Sequence, residues 1–364
     1  KRQVTSYDLL RRDETLYEGQ EFYACILDEA QAIKNHTTQK YKAVCKVRSR
    51  VRFALTGTPV ENRLGELWSI FSFLMPGYLP PYKSFCSRFE KPIVQEEDQT
   101  AVRRLNQLTG PFILRRMKSD VLKELPPKTE NVYRIELEEE QRKLYLAAVV
   151  DAREKLQAAK PEDKMAVFAV LMRLREICCD PRLIADNWEG GSAKLDACAE
   201  LVSSAVEGGH RILLFSQFTS MLELLAKRLD AEGVSHFTLQ GSTPKPVRAE
   251  LVRRFNGGEA SVFLISLRAG GTGLNLTAAD IVIHYDPWWN LAAQNQATDR
   301  AYRIGQQNPV QVYKLIAQDT IEEKIVELQQ AKQSLADTVT GTADGAILSM
   351  RPDELLQLLE GSEP

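Results

Sequence analysis

The sequence predicts an α/β protein of two lobes, each built on a parallel sheet, with helical insertions between them. Short β-prone runs alternate with amphipathic helical patterns along most of the 364 residues, and this alternation is typical of parallel sheets covered by helices. The length exceeds that of one ordinary hydrophobic core and suits two domains. Only the stretch from 62 to 190 has almost no strand pattern, and it is predicted to be helical.

Seven strands are predicted, each from a short apolar run bounded by polar or turn-forming residues. They cover residues 22–28, 51–56, 211–217, 236–241, 262–267, 280–286 and 310–316. The helix before the third strand is predicted to begin after Ser192 and to end at Gly208-Gly209. In an open parallel sheet, ligands collect where the strands end, so the segments after each strand are the places to search for function.

Composition excludes several classes of protein. Hydrophobic residues make up 44% and charged residues 26%, as in ordinary soluble proteins. No apolar run approaches the length of a membrane helix and no signal peptide is present, so we expect no membrane partner and an intracellular protein, cytoplasmic in a bacterium or nuclear in a eukaryote. The net charge of -2 means that any nucleic-acid site must be a local stripe of Lys and Arg. The six cysteines lack C-x-x-C spacing and are expected to be reduced core residues.

Two adjacent acids, Asp28 and Glu29, end the first predicted strand. Left dry and unpaired, each would cost several kcal/mol. One interpretation is a strand that reaches solvent, where acids begin a helix and complement its dipole. The other is a nucleotide site, with Asp28 holding the water shell of Mg²⁺ and Glu29 orienting the attacking water. The residues of this stretch alone leave both open.

Three further segments are candidates for phosphate binding. "TGTPVEN" (56–62) follows the second strand, and "RAGGTGLNLTAAD" (268–280) follows the fifth. Each is either a tight turn or a place where backbone N–H groups approach a phosphate. A helix from about residue 290 is predicted to carry Arg300 and Arg303 on one face. That pair is either a solvated basic face or a contact to the γ-phosphate.

Six segments in order resemble motifs II to VI of the Swi/Snf-type ATPases of helicase superfamily two. They are "DEAQAIKN", "ALTGTPVENRLGELWSIFSFLMPGYL", "LLFSQFTSMLELL", "LQGSTPKPVRAELVRRFN", "LISLRAGGTGLNLTAADIVIHYDPWWN" and "QATDRAYRIGQ". "DRAYRIGQ" with "DPWWN" is the most diagnostic part. The resemblance implies two RecA-like lobes, the first truncated at its N-terminus, and a motor that hydrolyses ATP with Mg²⁺ to move along double-stranded DNA.

The same resemblance implies a domain organisation. "PFILRRMKSDVLKELPPKTE" is similar to the linker between the lobes, and "LREICCDPRLI" is similar to the second helical protrusion. The expected parts are the remainder of the first lobe with its protrusion (1–130), the linker and second protrusion (131–190), the second lobe with a brace helix (191–336) and a C-terminal tail (337–364). In the brace, Glu322, Glu323 and Lys324 are expected on the polar face.

Roles for individual residues follow from the motifs they match. The implied catalytic residues are Asp28, which also holds Mg²⁺ through water, Glu29, Gln296, Arg300 and Arg303. The implied ATP contacts are Gly271, Gly273, Arg300 and Arg303. The implied DNA contacts are Thr56, Thr58, Asn62, Ser216, Gln217, Gly241, Ser242, Arg268, Ala269, Gly270 and Trp288. Such contacts to the DNA backbone would fix position without reading sequence. For Trp288 and Trp289, packing and phosphate positioning are favoured over base stacking, while "RRMK" (115–118) is either a further backbone contact or a solvated face.

One departure from the family pattern concerns the phosphate-binding loop. The family's loop ends in Gly-Lys-Thr or Gly-Lys-Ser, and no glycine in these 364 residues is followed by lysine. The chain is therefore expected to be part of a longer motor, to need the N-terminal part of that motor as a partner, and to bind DNA without hydrolysing ATP alone. Other protein subunits remain open. The alternatives are an inactive helicase-like DNA-binding scaffold and the motor subunit of a restriction or repair complex.

Overall fold

The computed structural model describes the chain in two compact units. The residues it describes are 2–57, 64–96, 98–114, 116, 121–122, 124–160, 163–185, 187–270, 273–329 and 352–360. The first unit is built on residues up to 114, and the second on residues from 116 to 328 together with 352–360. Each unit has its own sheet and its own core.

Within the described residues, the first unit contains a two-stranded parallel sheet and six α-helices. Strand β1 (Glu21–Leu27) pairs with β2 (Arg48–Ala54) from Glu21 opposite Arg48 to Leu27 opposite Ala54. The helices are α1 (Tyr7–Arg12), α2 (Gln39–Lys46), α3 (Leu64–Leu74), α4 (Tyr82–Phe85), α5 (Lys91–Gln95) and α6 (Gln99–Thr109), with a π-helical turn at Cys86–Glu90.

Local sequence explains where the helices of the first unit begin. Ser6 precedes α1 and its hydroxyl accepts a bond from the N–H of Leu9, while Thr38 caps α2 in the same way, so each cap satisfies an N–H that the helix leaves free. The apolar residues of α3 are buried on several sides. One cluster packs α3 to α6 together around Leu67, Phe71, Phe85, Phe89 and Leu105.

The second unit is built on a six-stranded sheet in which all pairs are parallel. Its strands are β3 (Lys128–Ile135), β4 (Ile212–Ser216), β5 (His236–Leu239), β6 (Val262–Ser266), β7 (Ile281–His284) and β8 (Val310–Ala317), in the spatial order β3-β8-β7-β4-β6-β5. Strands β4, β6 and β7 are buried along their whole length. Continuous burial is what helices on both faces of a parallel sheet produce.

The helices of the second unit cover the sheet and form a separate insertion. They are α7 (Glu139–Ala158), α8 (Lys164–Cys179), α9 (Ala193–Glu207), α10 (Thr219–Ala231), α11 (Lys245–Asn256), α12 (Leu267–Gly270), α13 (Leu291–Thr298), α14 (residues 321–329) and α15 (Pro352–Glu360). Helices α7 and α8 form this helical insertion, and they share a core with residues of α14 and α15. As predicted, α9 begins after Ser192 and is followed by Gly208 and by Gly209, whose φ is 79°, a value that favours glycine.

The predicted fold class is confirmed, and all seven predicted strands are present within a few residues of their predicted ends. The stretch from 62 to 190, predicted to be helical with almost no strand pattern, contains a strand that was missed, because β3 lies within it and pairs with β8 along eight residues. Its sequence, "KTENVYRI", alternates poorly, and seven of its eight residues are exposed. The division between the two compact units falls near residue 115.

Two other observations bear on the sequence predictions. Glu322 does not lie on the polar face of α14 as expected: it is fully buried, and it accepts bonds from Lys194 Nζ and from the N–H of Ala317. All six cysteines are free. Within the described residues, every helix is too short or too polar to cross a bilayer.

Candidate nucleotide and DNA site

The acidic pair of the first unit lies at the carboxyl end of β1, and both residues are exposed. Asp28 Oδ1 accepts a bond from the N–H of Glu29 (3.0 Å), and the Asp28 carbonyl accepts one from the Tyr7 hydroxyl (2.7 Å). Burial, with a further contribution from the charge of Asp28, raises the pKa of Tyr7 to about 12, so Tyr7 remains a neutral donor. Glu29 has φ 48° and ψ 53°, a left-handed conformation that is uncommon for a residue with a side chain. Such strain is often found at functional sites.

A side-chain relay joins Glu29 to the segment after β2. Gln31 Nε2 donates to Glu29 Oε2 (2.7 Å), and Thr56 Oγ1 donates to Gln31 Oε1 (2.9 Å). The backbones of the two strand ends are also joined, since the N–H of Ala30 donates to the carbonyl of Leu55 (2.9 Å). The structure therefore brings Glu29 and Thr56 together through Gln31. Gln31 was missed, although its place in "DEAQ", two residues after Glu29, was the available signal.

The two arginines of the second unit lie beyond the helix that was predicted to carry them. Helix α13 ends at Thr298, and the residues from Asp299 to Gly305 form turns, so Arg300 and Arg303 do not share a helical face. Arg300 is buried, and its carbonyl accepts a bond from the N–H of Leu276 (3.0 Å). Arg303 is half-buried and donates from Nη1 to the carbonyl of Leu274 (3.1 Å). Gln296, also half-buried, lies on α13 itself.

Gln306, the last residue of "DRAYRIGQ", holds these turns in place. Its buried Nε2 donates to the carbonyls of Thr277, Ala279 and Ala301 at 3.2, 2.7 and 3.2 Å. Its Oε1 accepts bonds from the next two backbone N–H groups, both at 2.9 Å. Five bonds from one side chain connect the arginine-bearing turns to the segment before β7. The residue was quoted in the motif, but its structural role was not predicted.

The segment after β4 carries two predicted DNA contacts, which differ in accessibility. The Ser216 hydroxyl is fully buried and donates to Asp286 Oδ1 (2.6 Å), so in this structure it supports the neighbouring loop and is not available to DNA. Gln217 is partly buried, and its N–H donates to the same Asp286 oxygen (3.2 Å). Of the two, Gln217 is therefore the better candidate for a contact with DNA.

The turn after β5 places Gly241 and Ser242 at the surface. Both residues are exposed, and nothing lies within 4 Å of the position where a Cβ would stand on Gly241. Arg248 of α11 supports the turn, because its guanidinium donates to the carbonyls of Thr243 (2.8 Å) and Gly241 (2.9 Å). The arrangement is an exposed turn on a rigid support, which suits contact with a phosphate backbone.

After β6 the predicted loop of Arg268 to Gly270 forms the short helix α12. Ala269 is buried, and its N–H donates to the Ser266 hydroxyl (3.4 Å), so its side chain is not at the surface. Gly273 is exposed with φ 31°, a value that favours glycine. Gly271, Thr58 and Asn62 lie outside the described residues, as do Arg115, Met117 and Lys118 of the "RRMK" segment.

The two tryptophans after β7 pack against each other and against other side chains. Their ring centroids are 5.8 Å apart, and Trp289, which is buried, has the guanidinium of Arg175 at 4.3 Å from its ring. Trp288 is half-buried, and its N–H donates to Gln294 Oε1 (3.4 Å). These contacts agree with the predicted packing role.

A Mg²⁺ ion would find the exposed carboxylate of Asp28 next to Glu29, which is also exposed and has a left-handed backbone conformation. No group of three or more His, Cys, Asp or Glu residues within the described part of the chain is arranged to hold a metal. Mg²⁺ is usually bound through one or two carboxylates, with water and substrate phosphates filling the other positions. The residues present fit that mode of binding.

Comparisons with known proteins agree with this arrangement. Residues 3–183 match the model of the SNF2-related domain, and residues 193–305 match that of the helicase conserved C-terminal domain. The chain is 40% identical to an uncharacterized ATP-dependent helicase of Mycoplasma pneumoniae, over 98% of this chain and 34% of that protein. It is 36% identical to the mouse SWI/SNF-related matrix-associated actin-dependent regulator of chromatin subfamily A member 1, over 98% of this chain and 36% of that protein.

A solved structure is similar across most of the chain. The Sulfolobus solfataricus SWI2/SNF2 ATPase core in complex with dsDNA is 36% identical, with a TM-score of 0.52, and the match covers 90% of this chain and 70% of that one. The chain spans about a third of the length of the curated relatives it matches. Both sheets, the order of the motifs and these matches lead to one conclusion: the chain belongs to the SNF2-related family of helicase-like proteins.

Proposed function

We propose that this chain is the C-terminal part of an ATP-driven motor that moves along double-stranded DNA. The observation that carries the proposal is the hydrogen-bonded relay from Glu29 through Gln31 to Thr56. It connects an acid assigned to ATP hydrolysis with a segment assigned to DNA binding. The Sulfolobus solfataricus core, which is similar along most of the chain, is described in complex with dsDNA. The Mycoplasma pneumoniae relative is named as an ATP-dependent helicase.

In the nucleotide half of the proposal, each residue has one task. Asp28 would hold Mg²⁺ through water, which would neutralise charge on the phosphates. The Glu29 carboxylate would orient and accept a proton from the attacking water, and Gln31 fixes the position of that carboxylate. Arg300 and Arg303 would stabilise charge on the γ-phosphate in the transition state. Gln306 holds the turns on which both arginines lie.

In the DNA half, the contacts come from segments at the carboxyl ends of neighbouring strands. Gln217 follows β4, the exposed turn of Gly241 and Ser242 follows β5, α12 with Arg268 follows β6, and Trp288 follows β7. Parallel strands bring these ends to one edge of the sheet. Contacts of this kind to the phosphate backbone would bind duplex DNA with little sequence preference.

The isolated 364-residue chain is proposed to bind duplex DNA without turning over ATP. No glycine in it is followed by lysine, so it has no Gly-Lys-Thr or Gly-Lys-Ser cradle for the β- and γ-phosphates. We expect phosphate release by the chain alone to stay at background with or without DNA. Addition of a segment that carries such a cradle is expected to restore DNA-stimulated release.

The test is phosphate release by the full-length protein in the presence and absence of duplex DNA. E29Q keeps the shape of the side chain and its bond to Gln31 but removes the base, so DNA-stimulated release should fall by about 10³-fold or more. The matched control is E21Q, an exposed acid at the other end of the same strand, which should leave release unchanged. Equal release by E29Q and wild type would refute the assignment of Glu29. Duplex binding by a wild-type protein without any DNA-stimulated release would favour the scaffold alternative.

A further inference from the structure

A completely buried arginine in the helical insertion of the second unit contacts two of the loops assigned to DNA. Arg175 lies on α8, and Asp286 follows β7; neither side chain has any exposed surface. Arg175 Nη2 donates to Asp286 Oδ2 at 3.1 Å. The same nitrogen donates to the carbonyl of Pro287, the residue before Trp288. The insertion is thus bonded directly to the loop that follows β7.

The carboxylate of Asp286 extends this connection to the loop that follows β4. Its Oδ1 accepts bonds from the Ser216 hydroxyl (2.6 Å) and from the N–H of Gln217 (3.2 Å). One buried carboxylate therefore joins the ends of two neighbouring strands, while Arg175 holds that carboxylate from the side of the insertion. Neither Arg175 nor Asp286 was singled out by the sequence.

Ring contacts of Arg175 involve the same two loops. Its guanidinium carbon lies 4.3 Å from the ring centroid of Trp289 and 5.5 Å from that of Phe218. Trp289 is the neighbour of Trp288, and Phe218 is the neighbour of Gln217. Both aromatic residues are buried, so the guanidinium limits where the two loops can move.

The energetics argue against a role in packing alone. Among the described residues, Nε and Nη1 of Arg175 have no hydrogen-bond partner, so part of the desolvation cost of the guanidinium is not offset. Apolar residues of similar volume often stabilise a core as well as a buried ion pair does, whereas a buried pair can specify one arrangement. Here the arrangement that it specifies is that of the loops carrying Gln217 and Trp288.

We propose that Arg175 is a positioning residue for DNA binding. Through Asp286 it holds Gln217, and through the carbonyl of Pro287 it holds the loop of Trp288, in the arrangement that contacts the duplex, without touching DNA itself. The inference rests on the proposed DNA-binding function. It connects the helical insertion, to which no role in DNA binding was assigned, with the contacts made at the edge of the sheet.

The second unit offers a matched control in another completely buried ion pair. Lys194 Nζ donates to Glu322 Oε2, and neither side chain has exposed surface. The other bond to Glu322 comes from the N–H of Ala317, so the hydrogen bonds of this pair join α9 to α14 and none of them goes to Gln217 or Trp288. Lys194 Nζ also lies 5.6 Å from the ring centroid of Tyr285, a contact without a hydrogen bond to the loop after β7. Loss of the cation from either pair leaves a buried carboxylate unpaired, and both substitutions should therefore lower stability.

The experiment measures binding of a fluorescein-labelled duplex by the 364-residue chain over a range of salt concentrations, together with thermal unfolding of each variant. At a temperature where all proteins are folded, R175M should bind about tenfold more weakly, as expected for the loss of one or two backbone contacts. The slope of log K against log salt should not change, because no cation that contacts DNA is removed. K194M should bind within about twofold of wild type. If a methionine variant does not fold, R175K and K194R are compared in the same way.

Three results would overturn the inference while leaving the proposed DNA function intact. Wild-type affinity in the folded Arg175 variant would show that the loops do not need the pair. An equal loss in the Lys194 variant would show a general effect of core damage. A salt slope smaller by about 0.9 would show that Arg175 itself neutralises a phosphate. Absence of duplex binding by the wild-type chain would instead refute the proposed DNA function, and the inference with it.

Discussion

The two sheets of this protein begin from similar apolar sequences but differ in how far they are buried. In the first unit, Tyr23 and Ile26 of β1 are 76% and 61% exposed, and Phe53 of β2 is 51% exposed. In the second unit, every residue of β4, β6 and β7 is buried. Strand composition alone therefore does not determine burial, which depends on what covers each face.

The candidate residues of the first unit therefore lie on a sheet that is only partly covered, whereas those of the second unit lie on a sheet that is covered on both faces. Within the described residues, β1 pairs only with β2, and the apolar core of the first unit contains Leu27, Ile33, Val44 and Phe73. The acids and the relay of Gln31 lie at the ends of these two strands. The loops of the second unit project from a six-stranded sheet with cores on both faces. We expect the first unit to be the less stable of the two.

The largest expected effect comes from truncating one phenylalanine in each sheet. Phe263 of β6 is fully buried against Phe255 and Phe237, so F263A should lower the free energy of unfolding by about 3–5 kcal/mol. F53A removes a half-exposed ring from β2 and should cost less than about 1 kcal/mol. Urea unfolding, followed separately for the two units by hydrogen exchange, measures both. An F53A loss as large as that of F263A would mean that the face of β2 is covered in solution.

Sequence patterns located seven of the described strands well, because each of these contains a short run of apolar and β-branched residues. They missed β3, whose exposed and mixed-polarity sequence carries little pattern. They also placed Glu322 at the surface, because a glutamate on a helix gives no sign that a lysine 128 residues earlier in the chain will be buried against it. Arg175 was missed for the same reason, since its partner Asp286 is 111 residues away.

In the candidate site, too, the sequence predicted some features and missed others. Motif order located Glu29 and Thr56, which the structure joins through Gln31. The accessibility of single residues was not predictable: Ser216 and Ala269 match their motifs but are buried, whereas Ser242 is exposed. Periodicity also extended α13 past its end at Thr298. The turns there depend on Gln306, whose five bonds to backbone groups are not visible in a helical repeat.

A smaller effect on stability is expected from pH, and it should be confined to the second unit with its six-stranded sheet. His284 of β7 is buried, and burial, with a lesser effect of Lys314, lowers its pKa to about 3. The unfolded chain takes up that proton near pH 6.5, so stability is lost as the pH falls below this value, by about 2 kcal/mol between pH 6.5 and pH 5. Denaturant unfolding of the second unit across this range, for wild type and H284Q, measures the effect. The same acid sensitivity in H284Q would contradict the prediction.

The smallest effect concerns the two described non-glycine residues with positive φ, one in each unit: Glu29 at 48° and Asp319 at 55°. Glycine adopts this conformation at no steric cost, so E29G and D319G should each raise the free energy of unfolding by about 1 kcal/mol. E29G removes the acceptor of an exposed bond from Gln31 Nε2, whereas D319G keeps the bond from the N–H of residue 319 to Glu323 Oε2. Only E29G should abolish DNA-stimulated phosphate release by the full-length protein, because only Glu29 is assigned to the attacking water. Unfolding by urea and phosphate release, measured on both variants, give the comparison. A gain in stability at both positions, with loss of release only in E29G, would support both the cost of the left-handed conformation and the assignment of the Glu29 carboxylate. No gain at either position would show that the left-handed conformation costs nothing here.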